Sequence, residues 1–344
     1  MCIRDSFAHG PTPLANTLDF PGDPGILGPD SVSWRVLGDA SVFVGGIRAL
    51  VIQSAHAEVV AGVEDHSTYR SDPLGRLSRT SVYVTETTYG AMPEVDAAVQ
   101  VVRRAHRPVH GTSERNLPYS AGRPEMAAWV HNVLTDSFLA AYQAFGPARL
   151  SAGDADRFVA EQTRIGRLLG ADPLPETSDE LTDWIANHPD RVVTNAQRNA
   201  ISFLRSPPLS PPIKIAYRLL FNAALTTVPS DMRQQLGVEP GKRAGGIGRN
   251  ATGALRWALG ASPSWHLALV RCDATIPVGI FNLWLELTAT WILVLLASGV
   301  YLWWPLAIEA AKPMFSDRWG GGGPLPWRHP PPLVGVVMAA VLSR

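Results

Sequence analysis

The chain has 344 residues, with 30 Lys and Arg against 30 Asp and Glu, so its formal net charge is zero. That balance offers no electrostatic surface to a polyanion and argues against a nucleic-acid partner. The two cysteines, Cys2 and Cys272, lie far apart, which excludes a disulfide framework and a cysteine-type zinc site.

Residues 1–27 are polar and rich in Gly and Pro, lack a basic start followed by an apolar run, and are predicted to form a disordered N-terminal arm with no visible secretory signal. From Val32 onward the apolar spacing is helical, and strand-like alternation is confined to short pieces such as Ser81 to Thr85. The expected fold is therefore all-α, a single large multi-helix, non-bundle domain over residues 28–272. Its first long apolar helix runs from Val42 to about Val60, introduced by Asp39. Asp72 and Pro73 supply a cap and a first-turn proline for the next helix, which carries Arg76 and Thr80. Glu94 to His110 makes a third, which Pro108 should kink or end just after His106. Pro124 opens a long helix to about Phe145, with Trp129, Val133 and Phe138 near one apolar side and His131 stacked under Thr135. Ser151 caps a helix through Gly170, and Thr177 to Glu180 forms a capping box for a helix to about His188. Shorter helices fill Val192–Leu204, Pro212–Leu225 and Gly248–Leu259.

The tail has a different character. Leu287 to Trp304 holds 18 residues without a charge, and Trp284, Trp291, Trp303 and Trp304 fit interfacial belts, so the pattern predicts a transmembrane helix. The competing structural explanation is a buried core helix. The words Ser298-Gly299-Val300-Tyr301 and Leu302-Trp303-Trp304-Pro305 resemble a helix of PepSY-associated transmembrane proteins. A second apolar run, Pro332 to Leu342, is too short to span, so residues 273–344 are expected to be a truncated membrane tail. Arg271 stands on one flank of the span and Lys312, Arg318 and Arg328 on the other. The missing secretory signal favours a membrane-associated protein with a cytoplasmic catalytic domain.

The chemistry concentrates at Arg103-Arg104-Ala105-His106-Arg107-Pro108-Val109-His110-Gly111. It sets two imidazoles four residues apart beside several guanidinium groups, and a ring nitrogen on a rigid helix can bind haem iron or another metal. The plain alternative is a pair of hydrogen-bonded structural histidines. No Lys-Ser/Thr follows Gly320-Gly321-Gly322-Gly323, the glycines from Gly241 to Gly248 miss the dinucleotide fingerprint, and no serine sits in a trustworthy nucleophile elbow.

Four ordered elements then resemble the MpaB-type oxygenases, the family that includes the rubber oxygenase latex clearing protein. They are Asp30 to Val36 with Asp39-Ala40; Arg76-Leu77-Ser78-Arg79-Thr80; the Arg-x-x-His-x-x-Val-x-Gly run from Arg103 to Gly111; and Tyr119-Ser120 with Trp129-Val130-His131, followed by Val159-Ala160-Glu161 and Leu168-Leu169-Gly170. The resemblance spans about Gly28 to Cys272. It implies a b-type haem with His106 as the iron ligand, and His110 and His131 tuning the site as neighbours. Arg103 also falls at the cofactor, while Arg76 and Thr80 shape the reacting side of the pocket. Where rubber oxygenases carry a lysine able to close the sixth iron position, this chain has Arg79, a poor iron ligand. The implied function is a haem-dependent oxygenase acting with dioxygen on an apolar, prenyl-like substrate. Two alternatives stand beside it: a non-haem metal held by His106, His110 and His131, and a cofactor-free, membrane-associated helical binding protein.

Overall fold

The computed structural model describes residues 13–260 and 262–275. The predicted transmembrane helix at 287–304 and its PepSY-like words lie outside them. Among the described residues no single helix is long and apolar enough to cross a membrane.

Helix α1 (Val32–Gly38) begins where the Ser31 hydroxyl accepts the Trp34 amide. The predicted helix from Val42 to Val60 is two helices, α2 (Val42–Gln53) and α3 (Ala57–His66). The break has a chemical cause: His56 is extended, and its Nδ1 accepts the amides of Glu58 at 3.2 Å and Val59 at 3.4 Å, so a histidine caps α3. Helix α4 (Pro73–Tyr89) starts at the Asp72 cap with proline in its first turn and takes in Ser81 to Thr85. Helix α5 (Met92–His106) follows after Gly90 and Ala91. It ends four residues before the predicted His110, because Pro108 has no amide to continue the ladder. The chain turns instead into strand β1 (His110–Thr112), paired antiparallel with β2 (Pro118–Ser120), with Gly111 opposite Tyr119.

Helices α6 (Pro124–Phe145), α7 (Ala152–Leu168), α8 (Ser178–Ala186), α9 (Asn195–Arg205) and α10 (Pro211–Leu225) follow the predicted order. Helix α11 (Ser230–Leu236) is one the sequence pattern does not announce; α12 (Ala244–Leu259) starts earlier than expected, and α13 (Pro263–Arg271) is again new. The described fold is mostly helical, as the apolar spacing predicts.

Helix α6 is the spine of the core. Trp129 and Val133 on α6, Val51 and Ile52 on α2, and Phe158 on α7 are fully buried in one cluster, each large side chain contributing about 1.5–3 kcal/mol of apolar burial. Helix α2 approaches α6 so closely at Gly45 that a Cβ there would lie 2.7 Å from Phe138 Cδ1 and 3.1 Å from the Ser137 carbonyl oxygen. Beside this contact Arg48 of α2 donates to Asp136 Oδ2 at 2.6 Å, to Ser137 Oγ at 2.8 Å and to the Thr227 carbonyl at 3.2 Å. Helix α10 packs behind α2 and against α12.

The predicted loose arm does not hold for residues 13–27. Leu14 is buried with Trp34, Tyr89 and Leu269. Arg271 Nε donates to the Asp23 carbonyl at 2.7 Å, the Gly22 amide donates to the Arg271 carbonyl at 2.7 Å, and Thr17 Oγ1 donates to Glu94 Oε2 at 2.7 Å. Composition made the segment look loose; these long-range bonds hold it.

Candidate functional site

Helices α4 and α5 form a hairpin about Gly90 and Ala91, and helical rise places two functional candidates at similar distances from its turn. Arg76 stands 14 residues before Gly90 and His106 15 residues after Ala91. At about 1.5 Å per residue both lie roughly 21–23 Å from the turn, at the free end of the hairpin. Near the turn the hairpin is buried, at Thr87, Thr88 and Tyr89 on one helix and Val95, Ala98 and Val99 on the other. Toward the free end Leu77, Thr80, Val101 and His106 are exposed.

His106 and Arg76 share an unusual pair of properties. Surrounding protein pushes the His106 imidazole below its ordinary pKa and lowers that of the Arg76 guanidinium, in both cases chiefly through burial. Yet the His106 side chain is open to solvent and Arg76 is only half-buried. Each group is thus crowded by neighbouring protein while keeping a face toward solvent. Neither side chain makes a hydrogen bond or ion pair among the described residues. Arg76, Thr80 and Tyr83 recur at i, i+4 and i+7, so they share one face of α4. Thr80 Oγ1 donates to the Arg76 carbonyl at 3.1 Å, which leaves its lone pairs unused. Tyr83 Oη is buried with no hydrogen-bond partner. One turn on, burial and the nearby Glu94 push the Glu86 carboxyl up to about 7.

The other predicted residues sit elsewhere. Arg79 turns to the start of its own helix, 3.4 Å from Asp72 Oδ2 and 3.2 Å from Thr68 Oγ1. Arg103 Nη2 donates to the Leu168 carbonyl at 2.6 Å and joins α5 to the end of α7. His110 lies on β1, exposed, so the expectation that it shares a helix face with His106 is corrected: Pro108 separates them. His131 is held inside the fold, its Nε2 donating to the Gln162 carbonyl at 2.8 Å, and burial lowers its pKa to about 4. A carbonyl only accepts, so this contact fixes the proton on Nε2.

The three-histidine metal set is also corrected. Among the described residues the one group of three ligand-type side chains within mutual reach is His56, His188 and Asp190, whose ligand atoms lie within 4.8 Å of one another. Its hydrogen bonds favour packing over metal. Nδ1 of His56 accepts two amides of α3, and Nδ1 of His188 accepts the Asp190 amide at 3.3 Å. Each neutral ring then carries its proton on Nε2, where a metal would need a lone pair. Trp129 packs tilted and Trp184 edge-on against His188, with ring centroids 4.8 and 4.7 Å away. Arg115 Nη1 bridges Asp190 at 2.9 Å and Glu58 at 3.4 Å. Burial, as the largest cause, holds His56 at about 4. Sequence reasoning missed this cluster because its members come from two segments more than 130 residues apart, and His188-Pro189-Asp190 alone carries no ligand spacing.

The family described as ER-bound oxygenase mpaB/B′ and rubber oxygenase, catalytic domain, matches residues 34–257. The match takes in the α4–α5 hairpin and the whole α2–α6 core. No curated protein and no solved structure matches the chain.

Proposed function

The chain belongs to the mpaB and rubber oxygenase catalytic-domain family, with an oxygenase domain over residues 34–257, and from that premise we propose that it is a haem-b-dependent oxygenase using dioxygen on an apolar, prenyl-like substrate. The observation that carries the reading is the pairing of His106 and Arg76. Among the described residues these two strong hydrogen-bonding side chains stand unpaired at similar distances from the turn of one hairpin, whereas the buried Arg48 guanidinium is held by Asp136 and Ser137.

The donor set suits a haem. Burial keeps the His106 imidazole neutral at physiological pH, so a ring lone pair is available to iron. Arg76 keeps its charge and has the planar fork that pairs with a carboxylate, here a haem propionate. Thr80 offers lone pairs one turn along. His131 takes the part of a fixed internal prop rather than a ligand. When bound, the haem would supply the dioxygen chemistry, while His106 would hold its iron and Arg76 would pair with a propionate. Leu77 and Val101, 50% and 56% exposed near the free end of the hairpin, offer apolar contact to a hydrocarbon substrate. The uncharged run 287–304 supports attachment to a membrane, where such substrates partition.

The test is the visible spectrum of the full chain, expressed with haem supply, beside its His106→Ala variant. A Soret band in the parent that is lost or shifted in the variant is the expected result. A folded, colourless parent refutes the haem assignment and favours the cofactor-free binding protein.

A further inference from the structure

Among the described residues Tyr83 carries the one hydroxyl of this α4 face that is buried without a hydrogen-bond partner. The hydroxyls of Thr80, Thr87 and Thr88 donate to carbonyls of the preceding turn, at 3.1, 2.8 and 2.6 Å. Three buried tyrosines and the half-buried Tyr217 end on protein acceptors: Tyr69 on Glu64 at 2.6 Å, Tyr89 on the Trp34 carbonyl at 3.2 Å, Tyr119 on Asp65, and Tyr217 on the Leu204 carbonyl at 2.7 Å. Tyr83 Oη is buried and bonded to nothing among the described residues. A buried hydroxyl without a partner is destabilising and rare in native proteins. Its place in the helix gives the omission a meaning, since Tyr83 follows Thr80 by one turn and Arg76 by two on the same face.

We propose that the Tyr83 hydroxyl is a ligand-facing donor, kept free by the fold to hydrogen-bond the small oxygen-bearing ligand bound at the α4–α5 hairpin. The proposal rests on the haem reading above and adds a residue that the Arg-x-x-x-Thr element does not include. Burial raises the Tyr83 phenol pKa, so the group keeps its proton at physiological pH and acts as a donor. Arg76, nearer the open end, is then the anchor for the carboxylates, and Tyr83, deeper along the same face, contacts the reacting ligand.

The variant Tyr83→Phe removes the oxygen and keeps the ring. In the haem-loaded full chain, with cyanide as the probe, the expected result is about five- to tenfold weaker cyanide binding, the loss of one hydrogen bond. In the unloaded chain the same change removes an unsatisfied buried hydroxyl, so the melting temperature should rise by about 2–4 °C. Opposite signs in the two measurements mark a group reserved for ligand. Equal cyanide affinity in the two loaded proteins overturns the proposal, and so does a lower melting temperature in the unloaded variant, which would reveal a structural partner. A parent chain that takes up no haem overturns the haem reading and this proposal together, and its spectrum separates that failure from the other two.

Discussion

Acid should strip stability from this fold through His56. Its side chain is 4% exposed, and burial is the largest cause holding its pKa at about 4 instead of the ordinary 6.5. The folded state therefore binds fewer protons than the unfolded chain between those two values. The stabilisation is complete above pH 6.5, is lost as the pH falls toward 4, and changes no further below that. At about 1.36 kcal/mol per pH unit, the loss attributable to His56 is about 3 kcal/mol. His131, also lowered to about 4 by burial, acts in the same direction. The informative variant is His56→Asn, because asparagine can still cap α3 through its side-chain oxygen while titrating nothing. Urea unfolding followed by circular dichroism at pH 7, 5.5 and 4 reads both proteins. The variant should lose about 3 kcal/mol less than the parent across that range. Parallel curves would refute the reasoning, since they would mean that protonated His56 is fully compensated by Asp190 and Glu58, 3.9 and 3.5 Å from its ring nitrogens.

Two further predictions concern the α2–α6 contact. Arg48→Met leaves the Asp136 carboxylate buried without its partner and should cost about 3–5 kcal/mol, whereas adding Asp136→Leu should recover most of the loss; a double variant no better than the single would show that the pair is not coupled. Gly45→Ala gains up to about 1 kcal/mol of helix propensity but forces its Cβ against the backbone of Phe138 and Ser137, so thermal unfolding should show a net loss, the overpacking costing about 1–3 kcal/mol. An unchanged or higher melting temperature would mean that the two helices can separate there at little cost.

Local chemistry was the legible part of this sequence. Asp72, Ser151 and Thr177 each cap the helix their pattern announces, because a cap and its amide lie within three residues of each other. Pro108 ends α5 just after His106 for the same reason. The single helix predicted from Val42 to Val60 failed because apolar periodicity continues through the break, and the capping histidine is not a residue type that marks a helix start. Arg103 and Arg79 look like site residues in the linear motif, yet their partners, the Leu168 carbonyl and Asp72 with Thr68, are set by where the neighbouring backbone falls. His106 and Arg76 were reached through the family motif, and their shared level follows from the lengths of α4 and α5. Tyr83 could not be singled out in advance, since an unpaired hydroxyl is recognised only when every neighbour is known.

The buried guanidinium of Arg271 bears on how this domain can be divided. With Thr17, Asp23 and Glu94 it closes a belt in which residues 13–27 and α13 clasp the turn of the α4–α5 hairpin. The Asp23 carboxylate receives the Met92 amide at 2.9 Å. Gly25, at a φ of +67°, lies so close that a Cβ would meet the Gly90 carbonyl oxygen at 2.0 Å. Both strands of that belt fall outside the family boundaries of 34 and 257. A chain trimmed to those boundaries keeps Arg76, Thr80 and His106 but unbuckles the turn from which both arms of the hairpin extend. Trp34 and Tyr89 would be laid bare, and the distance between Arg76 and His106 would no longer be fixed from below.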